Sequence, residues 1–161
     1  MRGKVKKLNL NQLARDAETP EEDKLIKYIM ERGKKNLAKK IVRETLKKIS
    51  EETKTPGVEI FKEAIKNTSP QVEVRSRRVG GANYQVPYEV RPERQLYLSL
   101  KWIIDSAKAK KGSPMADRLA KEIILASKGE GEAVKKRENT HKMAEANRAF
   151  AHFGWVGRNK K

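Results

Sequence analysis

The sequence predicts a mainly α-helical fold of six helices, with one two-stranded β-hairpin inserted between the third and the fourth. Two patterns predict it. Apolar residues recur at helical spacing through most of the chain, behind Thr-Pro, Ser-Pro or Pro starts. Between Val72 and Tyr88 the spacing changes to a period of two on both sides of a glycine pair. The 161 residues suit one domain, divided into a basic extension at 1–18, a helical domain at 19–150 with the ribbon at 72–90, and a basic tail at 151–161.

Three helices are predicted before the hairpin. Thr19 is a candidate N-cap, and Pro20 suits the first helical position, where no N–H is needed. The expected boundaries are Thr19-Pro20 to Gly33 for the first helix, Asn36 onward for the second, and Thr55-Pro56 to Ser69-Pro70 for the third. The expected core positions are Leu25, Ile26, Ile29 and Met30, then Leu37, Ile41, Val42, Leu46 and Ile49, then Val58, Phe61 and Ile65.

The hairpin segment alternates apolar and polar residues on both sides of a Gly-Gly-Ala-Asn turn. One apolar face is expected, made by Val72, Val74, Val86 and Tyr88. Pro87 has no N–H to donate, which favours an edge strand and hence a free two-stranded ribbon. Three arginines stand near the tip: Arg75, Arg77 and Arg78. The ribbon is therefore either an arm that reaches for phosphate or an ordinary edge hairpin with solvated arginines.

Three more helices are predicted after the hairpin. The fourth opens at Pro92, Ser113-Pro114 caps the fifth, and the sixth runs from about Glu132 to about Phe150. The expected core positions are Leu96, Leu100, Trp102, Ile103, Ile104 and Ala107, then Met115, Leu119, Ile123 and Ala126. The sixth helix is nearly all polar apart from Val134 and some alanines, so its cations are either solvated or face a polyanion.

The charge of the chain points to a polyanionic partner. Lys and Arg number 38 against 21 Asp and Glu, which gives a net charge of +17. Such a balance favours nucleic acid, because each neutralised phosphate releases condensed counterions, with an anionic membrane surface as the competing partner. No run of about 18 apolar residues occurs, so no membrane-spanning segment is expected. The absence of cysteine excludes disulfides, thiol catalysis and cysteine-bound zinc.

Three aromatic residues follow the sixth helix among basic groups: Phe150, Phe153 and Trp155. Aromatic side chains beside Arg or His can stack on unpaired bases. The alternative is that Phe150 and Trp155 attach the tail to the body of the protein. The sequence leaves both interpretations open.

No catalytic constellation is found in the sequence. His141 and His152 lie eleven residues apart, about three helical turns, which is too far for a shared metal. Neither GxxxxGK[ST] nor GxGxxG occurs, and the glycine pair at 80–81 leads into a strand and not a helix. We therefore expect no enzyme, no cofactor and no metal site.

Two long segments resemble the small-subunit ribosomal protein seven family, bacterial type. They are SPQVEVRSRRVGGANYQVP at 69–87, continued by EVRPER at 89–94, and AVKKRENTHKMAEANRAFAH at 133–152. Weaker similarity is found at 115–120 and at 33–35. After 151–152 the family usually has Tyr-Arg-Trp, whereas this chain has Phe153, Gly154 and Trp155.

The resemblance implies a six-helix bundle with a protruding β-ribbon between the third and fourth helices. It further implies a structural role in the small ribosomal subunit, with direct binding to the 3′ major domain of the ribosomal RNA and organisation of head assembly. By position, it implies these ribosomal RNA contacts: Lys4, Lys6, Lys7, Lys34, Lys35, Arg75, Arg77, Arg91, Arg94, Met115, Arg118, Lys135, Lys136, Arg137 and Lys142. The implied exit-site side, near transfer and messenger RNA, comprises Arg78, Gly80, Gly81, Asn83, Arg148, His152 and Trp155.

The implied partners are therefore small-subunit ribosomal RNA, exit-site transfer RNA and messenger RNA, and neighbouring small-subunit proteins, with no membrane. The expected location is the cytoplasmic ribosome, with an organellar ribosome left open. The alternative function is that of a DNA-bending architectural protein with basic β-arms, which usually carry an apolar wedge at the tip. The Gly-Gly-Ala-Asn tip disfavours that alternative.

Overall fold

Six α-helices, one 3-10 helix and a two-stranded antiparallel sheet make up the computed structural model, which describes residues 19–154. In chain order they are α1 (Pro20–Ile29), α2 (Lys35–Thr53), α3 (Gly57–Thr68), β1 (Val72–Val79), β2 (Ala82–Glu89), α4 (Pro92–Ala109), α5 (Met115–Ser127), α6 (Glu132–Ala146) and the 3-10 helix (Arg148–Gly154). The predicted mainly helical fold, with the hairpin between the third and fourth helices, is confirmed. None of the helices within 19–154 is long and apolar enough to cross a membrane.

The helix starts are stabilised partly by other helices. Thr19 is the N-cap of α1, where its hydroxyl accepts from the Glu22 N–H at 3.4 Å. The prediction that Ser113 caps α5 is wrong, because Pro114 takes the N-cap position and no side chain bonds there. At α3 the Ser50 hydroxyl of α2 accepts from the Gly57 N–H at 2.9 Å. The N–H groups that a helix start leaves without an intrahelical partner are thus bonded by a side chain of the cap or of the preceding helix.

The core lies among the six α-helices, with only Ala133 and Val134 from the last of them, and receives the apolar stripes predicted from the sequence. Leu25, Phe61, Leu100, Leu119 and Ile123 are completely buried there. Two predicted core residues are instead exposed: Met30 by 37% and Leu37 by 53%. Both lie beside the α1–α2 connection, where the chain reverses and the helical stripe no longer faces the bundle.

The last helix is shorter than predicted. α6 ends at Ala146, and the chain continues as the 3-10 helix and not as an α-helix to Phe150. Its buried residues are Ala133, Val134 and Ala144, as the thin apolar stripe indicates. Polar bonds add to this burial: the Glu122 carboxylate accepts from the Ala133 N–H at 3.1 Å, and the Gln71 N–H donates to His141 at 3.1 Å.

The pairing of β1 with β2 does not place the four apolar residues of the ribbon on the single face that the sequence predicted. Gly80 and Gly81 alone form the turn, so Val79 pairs with Ala82 and Val74 with Pro87. A two-residue turn pairs each even-numbered position with an odd-numbered one, and paired residues share a face. Val72 and Val74 therefore lie on one face, while Val86 and Tyr88 lie on the other with Glu73 and Arg75. The prediction of one face bearing all four apolar residues is wrong.

Candidate nucleic-acid interface

The tip of the ribbon is an exposed turn. Gly80 and Gly81 have φ of 58° and 90°, the left-handed values that a two-residue hairpin turn requires. A Cβ at either glycine would meet nothing within 4 Å, so the requirement for glycine is conformational and not one of space. Arg78 and Asn83 face each other across the two strands just below the turn, and both are exposed.

The base of the ribbon carries two arginines that share one carboxylate. Glu73 is buried, with Arg75 Nε 2.6 Å from its Oε1 and Arg94 Nε 2.9 Å from its Oε2. The side chains of Arg75 and Arg94 remain 56% and 46% exposed. Because two guanidinium groups face one carboxylate, the cluster keeps one net positive charge on two fixed donors. Such donors suit phosphate oxygens, which arginine can grip with two parallel N–H groups.

The 3-10 helix is attached to the ribbon by aromatic rings and one arginine. Tyr84 of β2 lies 5.1 Å from Phe150 and 5.0 Å from Phe153, measured between ring centroids. Arg77 of β1 donates from Nη1 to the Phe153 carbonyl. Of the two interpretations for Phe150, the structure favours attachment, although to the ribbon and not to the helical body. Arg77 thus serves in part to hold the chain that follows α6.

Two further predicted contacts also bond to the protein itself. Arg118 donates from Nη1 to the carbonyl oxygens of Lys110 and, at 3.3 Å, Lys108, at the end of α4. Arg137 donates from Nη1 to the Asn67 carbonyl at 2.6 Å, at the end of α3. Cations at helix C-termini satisfy the last carbonyl groups and match the negative end of the helix dipole.

A groove of about 430 Å³ brings together three predicted contacts that lie far apart in the sequence. Lys34, Met115 and Arg118 line it, together with the exposed Met30 and Leu37. The half-buried Lys35 starts α2 beside the groove. The lining combines apolar side chains with several cations and one carboxylate, Glu31, which pairs with Lys108. Apolar groups of this kind offer a packing surface for bases, and the remaining cations offer positive charge for phosphates.

Helix α6 carries more of the predicted RNA contacts. Lys136 and Lys142 are exposed, whereas Lys135 lies 2.9 Å from the Glu132 carboxylate in an exposed pair. That hydrogen bond raises the pKa of Lys135 above its ordinary value. Arg91, at the N-cap of α4, is also exposed, as are Arg148 and His152 of the 3-10 helix.

One histidine connects α6 to the base of the ribbon. His141 Nε2 accepts from the Gln71 backbone N–H at 3.1 Å. Burial and the charge of Arg137 lower the pKa of His141 below 6.5, which favours the neutral ring that this acceptor role needs. Within 19–154, no group of three or more His, Asp or Glu side chains could hold a metal ion. Lys4, Lys6, Lys7 and Trp155 lie outside the described residues.

Comparison with known proteins agrees with this arrangement. The family model described as "Ribosomal protein S7p/S5e" matches residues 2–148. The chain belongs to the S7p/S5e family of ribosomal proteins. A relative from Francisella tularensis subsp. holarctica (strain OSU18), "Small ribosomal subunit protein uS7", is 56% identical over 133 residues, covering 82% of this chain and 85% of the relative. The uS7 of Kosmotoga olearia is 55% identical over 132 residues, with the same coverage of 82% and 85%. The resemblance to this family is therefore confirmed.

In this S7p/S5e member, several residues that shape the surface carry no signal in the sequence. Glu73 occupies a polar position of an alternating strand, and nothing local indicates that it joins Arg75 to Arg94. Tyr84 contacts rings that lie more than sixty residues away. Tyr28 and Tyr97 belong to different helices, and only the folded chain brings them into contact.

Proposed function

We propose that this chain is a structural, non-enzymatic constituent of the small ribosomal subunit that binds the 3′ major domain of the ribosomal RNA. Membership of the S7p/S5e family supports the ribosomal role. The observation that carries the RNA contact is the buried Glu73, which holds the guanidinium groups of Arg75 and Arg94 in fixed, half-exposed positions. By this binding the chain organises assembly of the subunit head, in the cytoplasmic ribosome.

Recognition relies on the shape and backbone of folded RNA. The deep, narrow major groove of A-form RNA hides its bases from side chains, so phosphate and 2′-hydroxyl contacts dominate. The exposed cations of α6, Lys136 and Lys142, and those near the ribbon base, Arg75, Arg91 and Arg94, are the proposed phosphate contacts. The groove lined by Lys34, Met115 and Arg118 adds a packing surface.

The ribbon tip and the 3-10 helix form the proposed exit-site side, near transfer RNA and messenger RNA. The Tyr84 contacts and the Arg77 bond hold the 3-10 helix against the ribbon. Both elements therefore form one packed unit, and the exposed Arg78, Arg148 and His152 belong to that unit. Neighbouring small-subunit proteins are the remaining proposed partners.

Binding to three nucleic acids at graded salt concentrations tests this proposal. The 3′ major-domain RNA is compared with duplex DNA and with a scrambled RNA of equal length. All three affinities fall steeply with salt, because phosphate contacts release counterions. We expect a preference for the domain RNA of at least about 100-fold at near-physiological salt, a threshold below the gap of about 1,000-fold or more that usually separates specific from non-specific nucleic-acid binding. Equal affinities would contradict the proposal, and a preference for duplex DNA would favour the DNA-bending alternative.

A further inference from the structure

We propose that Tyr28 is a stacking platform for an unpaired nucleobase of the bound RNA, with Arg94 and Lys101 binding the backbone phosphates next to that base. The proposal rests on the proposed function, because it assigns one specific nucleotide contact within an RNA-binding protein. The site lies where α1 packs on α4. It includes Arg94, which is also one of the two arginines that bind Glu73 at the base of the ribbon.

Tyr28 presents a supported and accessible ring. It is 39% exposed, one of the few large apolar side chains at the surface of the described chain. Its ring centroid lies 5.5 Å from that of Tyr97, with an angle of 84° between the planes. This edge-to-face contact fixes the orientation of the Tyr28 ring and leaves part of its surface to solvent. A ring that is already ordered loses little conformational entropy when a base stacks on it.

Tyr97 has a different role, because cations already flank it. Arg94 Cζ lies 6.0 Å from the Tyr97 ring centroid and Lys101 Nζ lies 5.7 Å from it. Lys101 Nζ also lies 3.4 Å from the Tyr97 hydroxyl, a distance at which it donates a hydrogen bond. Arg94 and Lys101 precede and follow Tyr97 by one turn of α4, so both cations lie on the side of the helix that carries Tyr97, the ring that Tyr28 contacts.

The surroundings favour a polyanion with flat apolar groups. Lys24, Tyr28, Glu93, Arg94 and Tyr97 line a shallow cleft of about 500 Å³. The lining therefore has two cations, Lys24 and Arg94, and one carboxylate, Glu93, while Lys101 adds a third cation beside the Tyr97 ring, outside the lining. Alternating aromatic rings and cations are the combination that binds single-stranded nucleic acid, where bases stack and the backbone meets positive charge. A protein partner would need an apolar patch to match, and Tyr28 is the only large exposed apolar side chain among these cleft residues.

The direct test compares Tyr28→Leu with Tyr28→Phe for affinity to the 3′ major-domain RNA. Leucine keeps apolar bulk but has no ring face, whereas phenylalanine keeps the ring and lacks only the hydroxyl. We expect Tyr28→Leu to weaken binding by about 5- to 100-fold, the range that one base–aromatic stack provides. We expect Tyr28→Phe to bind like the parent chain. The slope of affinity against salt stays unchanged in both variants, because no phosphate contact is lost.

A second measurement keeps the proposal falsifiable if the leucine variant folds poorly. Short-wavelength ultraviolet irradiation of the unaltered protein with the same RNA, followed by mass spectrometry, identifies the peptides that become linked to nucleotides. We expect a link to the peptide that contains Tyr28. In addition, Lys101→Gln lowers the salt slope by about 0.7 to 0.9, the value for one phosphate contact.

If a folded Tyr28→Leu variant keeps full RNA affinity and no cross-link forms at Tyr28, the proposal is overturned. This face of α1 and α4 would then be assigned to contact with a neighbouring protein. That outcome differs from failure of the proposed function. In the latter case the unaltered chain shows no preference for the domain RNA.

Discussion

The helical body and the ribbon of this protein are held by different forces. In the body, Phe61, Leu100 and Leu119 are completely buried among apolar neighbours. In the ribbon, Val86 is the only completely buried apolar side chain of the two strands. The ribbon is attached to its neighbours instead by the Glu73 carboxylate, which binds Arg94 of α4, and by the contacts of Tyr84 with Phe150 and Phe153. Other hydrogen bonds add to this attachment.

Both regions affect how the arginines should be interpreted. In the ribbon and on α6, Arg77 and Arg137 bond to the protein itself, and Arg118 does the same in the helical body. A count of positive charges is therefore not a count of proposed RNA contacts, because some cations hold the protein surface in shape.

The largest expected effect is in the body. Phe61→Ala removes a completely buried ring, and we expect it to lower the free energy of unfolding by about 3–5 kcal/mol. Denaturant titration measures this change. The matched control is Met143→Ala, at a residue that is 52% exposed and for which we expect less than about 0.5 kcal/mol. Similar losses in the two variants would show that apolar burial does not dominate the body.

A smaller effect is expected at the ribbon turn. Gly80→Val places a β-branched residue at a φ of 58°, which costs about 1–2 kcal/mol. Since this strain is confined to the tip, we expect the helical circular-dichroism signal to persist while RNA affinity falls. Ala82→Val, in the adjacent strand position, is the control without positive φ. Normal RNA affinity for Gly80→Val would indicate that the arm does not contribute to binding.

The smallest effect concerns His141 and pH. Its pKa is lower in the folded state than the ordinary 6.5, because burial and Arg137 disfavour the charged ring. The unfolded chain then binds more protons, so stability is complete above pH 6.5 and declines as the pH falls through the folded-state pKa. We expect the melting temperature to fall by less than about 2–4 °C over this window, the shift that 1 kcal/mol produces in a domain of this size.

The control for this prediction is His141→Gln, which retains an acceptor for the Gln71 N–H but cannot titrate. Its melting temperature should depend less on pH between pH 5 and 6.5 than that of the parent chain. An identical pH dependence in both proteins would place the titrating group elsewhere.

Local patterns predict much of this fold, since helix periodicity and Pro starts act within a few residues. The order of helices and the hairpin follow from them. The shared face of Val72 and Val86 was predicted wrongly, because even-numbered positions of both strands share a face only across a turn with an odd number of residues, and this turn has two. The end of α6 at Ala146 also departs from the pattern, since the chain there turns to pack Phe150 on the ribbon.

The candidate surface was predictable in its residue types but not in its connections. The charge and the resemblance single out Arg75 and Arg94 separately. Their common partner, Glu73, lies twenty-one residues from Arg94, and only the fold brings the two together. The same holds for Tyr28 and Tyr97, whose contact depends on how α1 packs on α4.

The most direct test of the account compares Glu73→Gln with Glu89→Gln for binding to the 3′ major-domain RNA. Both variants remove one negative charge from the ribbon, but Glu89 is exposed, whereas Glu73 holds two arginines. If only net charge mattered, both variants would bind the RNA more tightly than the parent chain. If Glu73 positions Arg75 and Arg94, Glu73→Gln binds more weakly than the parent chain, while Glu89→Gln binds equally well or slightly more tightly. Equal or tighter binding by Glu73→Gln would contradict the claim that the ribbon depends on this carboxylate.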